Sequence, residues 1–208
     1  MFPNMVEVVP EGRVGDAAVE HFEVDQAAAR WSSVRDRAFA VREGRYARLT
    51  IKGHLWMSDT TMERRSNFGV VQAAHGRVLI AGLGLGMLLK PILENPKVTE
   101  VVVIEKFADV IALIAPHFDS PKLKVILGDI YEWRPAKGEV FNTIYFDIWP
   151  DVTTDSLADI NKLHRAFARY KDKDDMRVWM DSWMSDHLRS KRRRDNEERR
   201  SGRGWGGW

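Results

Sequence analysis

Val78-Leu-Ile-Ala-Gly-Leu-Gly-Leu-Gly-Met87 joins a short apolar, β-branched run to glycines at 82, 84 and 86. Val78 to Ile80 has the makeup of a buried strand and Met87 to Leu93 that of a helix, so the glycines fall on a strand-to-helix turn. Glycine at such a turn permits positive φ and lets the backbone approach a ligand closely. The N–H groups opening the next helix can then meet a carboxylate or another polar group. The residues before this stretch read as a lid, and those after it as the rest of a nucleotide-binding fold.

Downstream, Pro91 lies close enough to the helix start to be tolerated, and Asn95-Pro96 stops the helix. Glu100-Val-Val-Val-Ile-Glu105 is a continuous apolar strand that ends in an acid. A helix from Phe107 to about Ile114 stops at Pro116, and a third strand, Leu123 to Leu127, closes on Gly128-Asp129. The fourth, Val140 to Phe146, runs into Asp147-Ile-Trp-Pro-Asp151. Continuous apolar strands separated by helices imply a parallel sheet covered on both faces. Such sheets bind ligands beyond the carboxyl ends of their strands. The glycine turn, Glu105, Asp129 and Asp147 all fall at carboxyl ends, and this agreement is the main argument for a ligand crevice.

Farther on, a helix from about Asp155 to Tyr170 carries Leu157, Ile160, Leu163, Phe167 and Tyr170 on one side. Met176 to Met180 reads as a fifth strand, Trp183 to Arg194 as a last helix, and no repeat is visible.

Upstream, Val6 to Val9 and Ala18 to Val24 alternate around Pro10, Gly12 and Gly15, which predicts an irregular hairpin. Asp25 is placed to cap a helix from Gln26 to about Phe39, with Ala28, Trp31, Val34 and Ala38 on one face. A better-marked hairpin pairs Tyr46–Ile51 with His54–Ser58 across Lys52-Gly53. Thr60 and Glu63 have capping-box spacing, predicting a helix from Thr61 to about Ala74 closed by His75-Gly76.

The 208 residues, 44% of them hydrophobic, suffice for one α/β domain plus an appendage. We divide the chain into an N-terminal hairpin-and-helix lid (1–60), a core (61–188) and a basic Gly/Trp-containing tail (189–208) expected to be disordered. With no cysteine, disulfides, thiolate metal sites and a cysteine nucleophile are excluded. No run has membrane-span length and no signal-peptide layout is seen, so the expectation is a cytoplasmic protein without a membrane partner. From Asp186 to Trp208 eight Arg or Lys face four Asp or Glu, which leaves the rest of the chain at −2 against a total of +2. The body is therefore no nucleic-acid platform, and only the basic tail offers phosphates or an acidic partner a contact. A solvated helix end running into disorder accounts for that composition better.

A dinucleotide fingerprint needs Gly-x-Gly-x-x-Gly, whereas glycines here stand at 82, 84 and 86. Glu105 suits the ribose hydroxyls, Asp129 an adenine amino group and Asp147 a ligand ammonium. The six histidines show no metal spacing, so no metal is expected, and neither a Gly-x-Ser-x-Gly elbow nor a phosphate-loop lysine occurs.

From about Tyr46 to Trp149 these residues resemble the class I S-adenosylmethionine-dependent methyltransferase superfamily, and within it the spermidine-synthase-like branch. Val78 to Gly86 is similar to that branch's glycine loop, with Ile80 where other methyltransferases carry an acid. Val103 to Ile111 is similar to its ribose-binding strand and helix, Gly128-Asp129 to its adenine turn, and Thr143-Ile-Tyr-Phe-Asp147 to its fourth strand with the active-site aspartate. Leu55-Trp-Met-Ser-Asp59 resembles the segment before the core. The resemblance implies a Rossmann-like, mostly parallel α/β sheet with flanking helices, shortened at its C-terminal edge because only a helix and the tail come after Met180. A homo-oligomer would complete such an edge. It implies S-adenosyl-L-methionine as cofactor, held by Gly82, Leu83, Gly84, Gly86, Glu105, Lys106, Asp129, Ile130, Asp147 and Trp149.

Aminopropyltransferases of that branch carry an acid inside the glycine loop and an Asp-x-x-Asp after the fourth strand. Here Leu85 takes the first place, and Asp147 and Asp151 are one residue too far apart, so a polyamine loses about two carboxylate contacts of roughly 1.5–3 kcal/mol each. Methyl transfer to an unidentified small-molecule acceptor is thus the expected reaction, with decarboxylated-cofactor aminopropyl transfer as the alternative and a binding or cofactor-consuming protein as a third. Asp147 is the expected base, Asp59 and Asp151 the substitutes, and Tyr145 and Trp149 could face the sulfonium.

Overall fold

A computed structural model of the chain describes residues 2–35, 40–151 and 153–200. Its centre is a five-stranded, wholly parallel sheet of β5 (Gly76–Ala81), β6 (Val98–Glu105), β7 (Leu123–Leu127), β8 (Thr143–Phe146) and β9 (Trp179–Ser182), in the order β7-β6-β5-β8-β9. Counted from its own first strand the order is 3-2-1-4-5, the doubly wound arrangement whose switch point lies between β5 and β8. The expected α/β class is the observed one.

Alternation along each strand sends side chains to both faces. Val78, Ile80, Val101 and Val103 pack on one side against α5 (Leu89–Leu93) and α6 (Ala108–Ile114). Leu79, Ala81, Val102, Ile104, Ile144 and Phe146 pack on the other with Phe141 and with Leu163 and Phe167 of α7 (Ser156–Phe167). Burial on both faces is why these strands read as unbroken apolar runs. As expected, Leu157, Ile160, Leu163 and Phe167 form the buried side of α7.

Four antiparallel strands precede the core in the order β1-β2-β3-β4: β1 (Gly12–Val14), β2 (Ala17–Val24), β3 (Gly44–Ile51) and β4 (His54–Ser58). Their buried residues Ala17, Val19, Ala47, Leu49 and Ile51 join the same apolar cluster as α5 and α6. Lys52 and Gly53 turn the β3–β4 hairpin with φ of 53° and 75°, as the two-residue turn predicts.

Several local expectations are corrected. Met5–Val8 is a helical turn, α1, rather than a strand; Met5 and Val9 are both fully buried at a four-residue spacing, and the Met5 N–H is held by Asp59 Oδ2 at 2.9 Å. The first hairpin is instead formed by β1 and β2 across Gly15-Asp16. Asp25 does cap α2 (Gln26–Arg35) through the Ala28 N–H, 2.7 Å, but no residue of α2 is buried, and Trp31 and Val34 stand exposed. Ala38 and Phe39, the predicted end of that helix, lie outside the described residues.

The helix predicted from Thr61 to Ala74 divides into α3 (Thr61–Ser66) and α4 (Phe68–Ala73). Buried Asn67 sits at the break, where its Nδ2 donates to the Glu63 carbonyl and its Oδ1 accepts the Tyr145 hydroxyl. The capping box is absent, since the Thr60 side chain caps nothing. α5 begins at Leu89 rather than Met87, because the first turn after the glycines is spent closing the loop, Gly86 N–H to the Leu83 carbonyl. β8 begins at Thr143 rather than Val140, and β9 lies three residues beyond its expected start. The last helix, α8 (Ser185–Arg200), continues past Arg194; residues 201–208 lie outside the described residues. Among the described residues no strand comes after β9, and no helix is long and apolar enough to cross a membrane.

Candidate functional site

Beyond the carboxyl ends of β5, β6, β7 and β8 lies a crevice with a cavity volume of about 210 Å³. Nine of the ten predicted ligand residues line it: Gly82, Leu83, Gly84, Glu105, Lys106, Asp129, Ile130, Asp147 and Trp149. Gly86 does not; it packs beneath the turn against Phe118 and Ile114. Of the substitute bases, Asp59 lies fully buried in the structure and Asp151 is exposed, and neither lines the crevice.

The glycine turn is held by its neighbours. At Gly82, with φ 97°, an added Cβ would stand 2.0 Å from the Asp147 carbonyl oxygen, so any side chain there drives the β5 and β8 ends apart. Glu105, 6% exposed, binds the turn from the adjacent strand: its Oε2 accepts the Leu83 N–H and its Oε1 the Phe107 N–H, each at 2.8 Å. Burial holds its carboxyl above the ordinary range, against the opposing pull of the N–H donors of Leu83, Phe107, Lys106 and Gly84.

Asp129 sits at the β7 end, where Oδ1 accepts the Tyr131 N–H at 2.9 Å and Oδ2 meets the Lys106 ammonium at 2.9 Å. These contacts, Lys106 foremost, hold the Asp129 carboxyl below its ordinary range and raise Lys106 in return. Ile104, Phe107 and Ile130 supply apolar walls between Glu105 and Asp129.

Asp147 stands just past β8, and burial pushes its carboxyl up to about 7. Across the crevice is a residue whose sequence spacing suggests a cap, Glu63. Released from that task, it is 9% exposed, lines the crevice, and receives only a long bond from the Ser58 N–H, 3.5 Å. Burial foremost, then repulsion from Asp147, push it up to about 8, with Asp59 adding to the rise and the Ser58 bond opposing it. Neither Asp147 nor Glu63 has an ion-pair partner among the described residues, although Asp59 has Arg64 and Asp129 has Lys106. Two carboxyl groups in one apolar crevice resist ionising together.

Tyr145, predicted to face the sulfonium, instead turns under the sheet, where its hydroxyl bonds Asn67 and its ring stacks on Trp179, 5.9 Å between centroids. Trp149 does line the crevice. Three further lining residues are Met57 of β4, Trp56, whose ring meets Phe107 edge-on at 5.4 Å, and Trp183 after β9. The Met57 sulfur receives the Leu85 N–H at 3.1 Å. Among the described residues no cluster suited to a metal ion occurs.

No protein-family model and no curated protein matches the chain. Among solved structures, spermidine synthase from Thermotoga maritima is similar over 80% of this chain and 53% of its own length, at 15% identity and a TM-score of 0.48. YcgJ from Bacillus subtilis is similar over 54% of this chain and 47% of its own, at 19% identity and 0.42. CalS10, an amino pentose methyltransferase from Micromonospora with S-adenosylmethionine bound, is similar over 52% and 42%, at 17% identity and 0.36. The chain thus spans about half the length of these proteins, and likenesses of this degree say nothing of reaction or substrate. The fold rests on the strand order, with the glycine turn after the first strand of the sheet and acids closing the next three: a Rossmann-like, doubly wound α/β sheet.

Proposed function

We propose that this chain is an S-adenosylmethionine-dependent methyltransferase. The observation that carries the reading is the convergence, in one crevice, of the glycine turn, the Glu105 carboxylate, the Asp129 turn and the Asp147 carboxyl, each from a different strand end. These residues fit an adenosyl group. The Glu105 carboxylate lines the crevice as an acceptor for vicinal hydroxyls, Ile104, Phe107 and Ile130 offer apolar walls for a base, and Asp129 offers an acceptor at their edge. The backbone of Leu83 and Gly84, which line the crevice, would hold the ligand's amino-acid end.

When bound, S-adenosylmethionine supplies a methyl already activated by its sulfonium, so the protein's task is alignment and exclusion of water. Apolar walls and the Trp56, Trp149 and Trp183 rings exclude solvent. With its carboxyl raised to about 7, Asp147 is suited to take a proton from an acceptor near neutral pH. Glu63 across the crevice shares that burden, since a proton on either carboxyl relieves the other.

A second reading, aminopropyl transfer from the decarboxylated cofactor, gains support from Glu63, which returns to the crevice one carboxyl that Leu85 removes from the glycine loop. Titrating the protein with S-adenosylmethionine and with its decarboxylated form decides the branch. Tighter binding of the intact cofactor supports methyl transfer, and tighter binding of the decarboxylated form supports the second reading.

A further inference from the structure

The last helix, α8, carries Arg or Lys at 189, 191, 192, 193, 194, 199 and 200 and acids at 186, 195, 197 and 198, and none of its residues lines the crevice. It is fixed to the core by Leu188, its single apolar residue, which is 2% exposed and packs with Leu157 and Ile160 of α7. Beside this seam the two helices enclose an open groove of about 660 Å³.

Arg189, Arg192 and Arg193 line that groove, and their i, i+3, i+4 spacing sets them on one face of α8. Asp186 is the one acid among the described residues lining it, 3.5 Å from Arg189. The other acids of the two helices, Asp195, Glu197 and Glu198 on α8 and Asp159 on α7, do not line it. Arg192 and Arg193 are exposed and enter no ion pair among the described residues. The helix is thus of mixed charge, but its groove face is basic.

The chemistry of this face selects among anionic partners. Guanidinium forks match phosphate oxygens two at a time, and Asn161, Ser190 and Asn196 add the amide and hydroxyl groups that meet phosphate and sugar. A lipid surface fits poorly, because binding there needs apolar side chains to insert, and the only one on α8 is buried. Next to the groove stands an aromatic ring: half-buried Trp149 packs on the Leu157–Ile160–Leu188 cluster and lines the crevice, while Leu157 also lines the groove. A basic groove beside an aromatic ring is the arrangement that holds a single nucleic-acid strand, backbone in the groove and base on the ring.

We propose that the α7–α8 groove binds the sugar–phosphate backbone of single-stranded nucleic acid through Arg189, Arg192 and Arg193. The strand then passes Trp149 at the edge of the crevice. This surface is separate from the cofactor crevice and stands or falls independently of the adenosyl reading.

The test uses the full chain and a fluorescein-labelled single strand of about 12 nucleotides, followed by anisotropy. The parent protein should bind with a Kd of about 1–100 µM at about 50 mM salt, and log K should fall with log salt at a slope of about −2, as three phosphate contacts require. The combined variant Arg189→Gln, Arg192→Gln and Arg193→Gln should bind at least about tenfold more weakly with unchanged circular dichroism. Lys191→Gln with Arg194→Gln removes two charges that do not line the groove and should change affinity less than about twofold. Absence of binding by the parent, a salt slope near zero, or equal losses in the two variants would overturn the proposal. So would binding to polyglutamate, or to phosphatidylcholine vesicles containing about one-third phosphatidylserine, as tight as to the oligonucleotide.

Discussion

The Glu105 carboxylate accepts the Leu83 N–H at 2.8 Å, so the end of β6 and the glycine turn after β5 form one piece. A buried acid there holds the turn and lines the crevice. Glu105→Gln retains the shape and one acceptor but sets an amide against the N–H groups of Leu83 and Phe107. We expect a loss of about 1–3 kcal/mol in stability, read by urea unfolding, from the donor left unsatisfied. Unchanged stability would separate the acid from the turn.

Gly82 tests the same junction from the other side. A Cβ there meets backbone, the Asp147 carbonyl, rather than a side chain able to turn away. Gly82→Ala should therefore cost roughly 1–3 kcal/mol as overpacking and widen the crevice between β5 and β8. Thermal unfolding reads the first effect, and a Gly82→Ala protein as stable as its parent would contradict the geometry.

The fully buried Asp59 carboxylate joins three elements: Oδ2 accepts the Met5 N–H of α1 and the Arg64 guanidinium of α3, at 2.9 and 2.7 Å, and Oδ1 accepts the Ala47 N–H of β3 at 2.8 Å. Asp59→Ala strands Arg64 and two backbone donors, at a cost of about 3–5 kcal/mol. The loss should concentrate in the N-terminal sheet, seen as faster amide exchange at Ala47 and Met5. Protection unchanged at both would show that the carboxylate does not bind these elements together.

Stability should fall as pH rises. Glu63 and Asp147 have folded-state values of about 8 and about 7, above their ordinary ranges, so the folded chain binds more protons than the unfolded one between the two sets of values. Their contribution is fully present below about pH 4 and is lost as pH rises through about 7 to 8. Glu63→Gln, a permanently neutral mimic, should unfold at higher temperature than its parent at pH 9, by about 2 kcal/mol, and with little difference at pH 5. Equal unfolding of the two proteins at pH 9 would remove Glu63 from the buried crevice.

How far the sequence discloses each element depends on what determines it. The parallel sheet is legible because burial on both faces demands unbroken apolar runs, as in Val101 to Ile104, and the β3–β4 hairpin because Lys52-Gly53 adopts positive φ at both positions. The strand-end acids are legible because the turn chemistry beside them is local. Glu63 is not, because its spacing from Thr60 suggests a cap, and its place in the crevice comes from strand ends distant in sequence. Met57 carries no local signal, since a methionine on a half-buried strand is compatible with any apolar neighbour. The N-terminal turn reads as a strand because Val6, Val8 and Val9 suggest one, whereas Asp59 fixes it as a helix from 54 residues away.

Calorimetric titration with S-adenosylmethionine tests the central claim most directly. The account predicts micromolar-range binding by the parent chain and its loss in Glu105→Ala. No heat with S-adenosylmethionine, together with binding of an NAD or flavin compound in the same crevice, would contradict it.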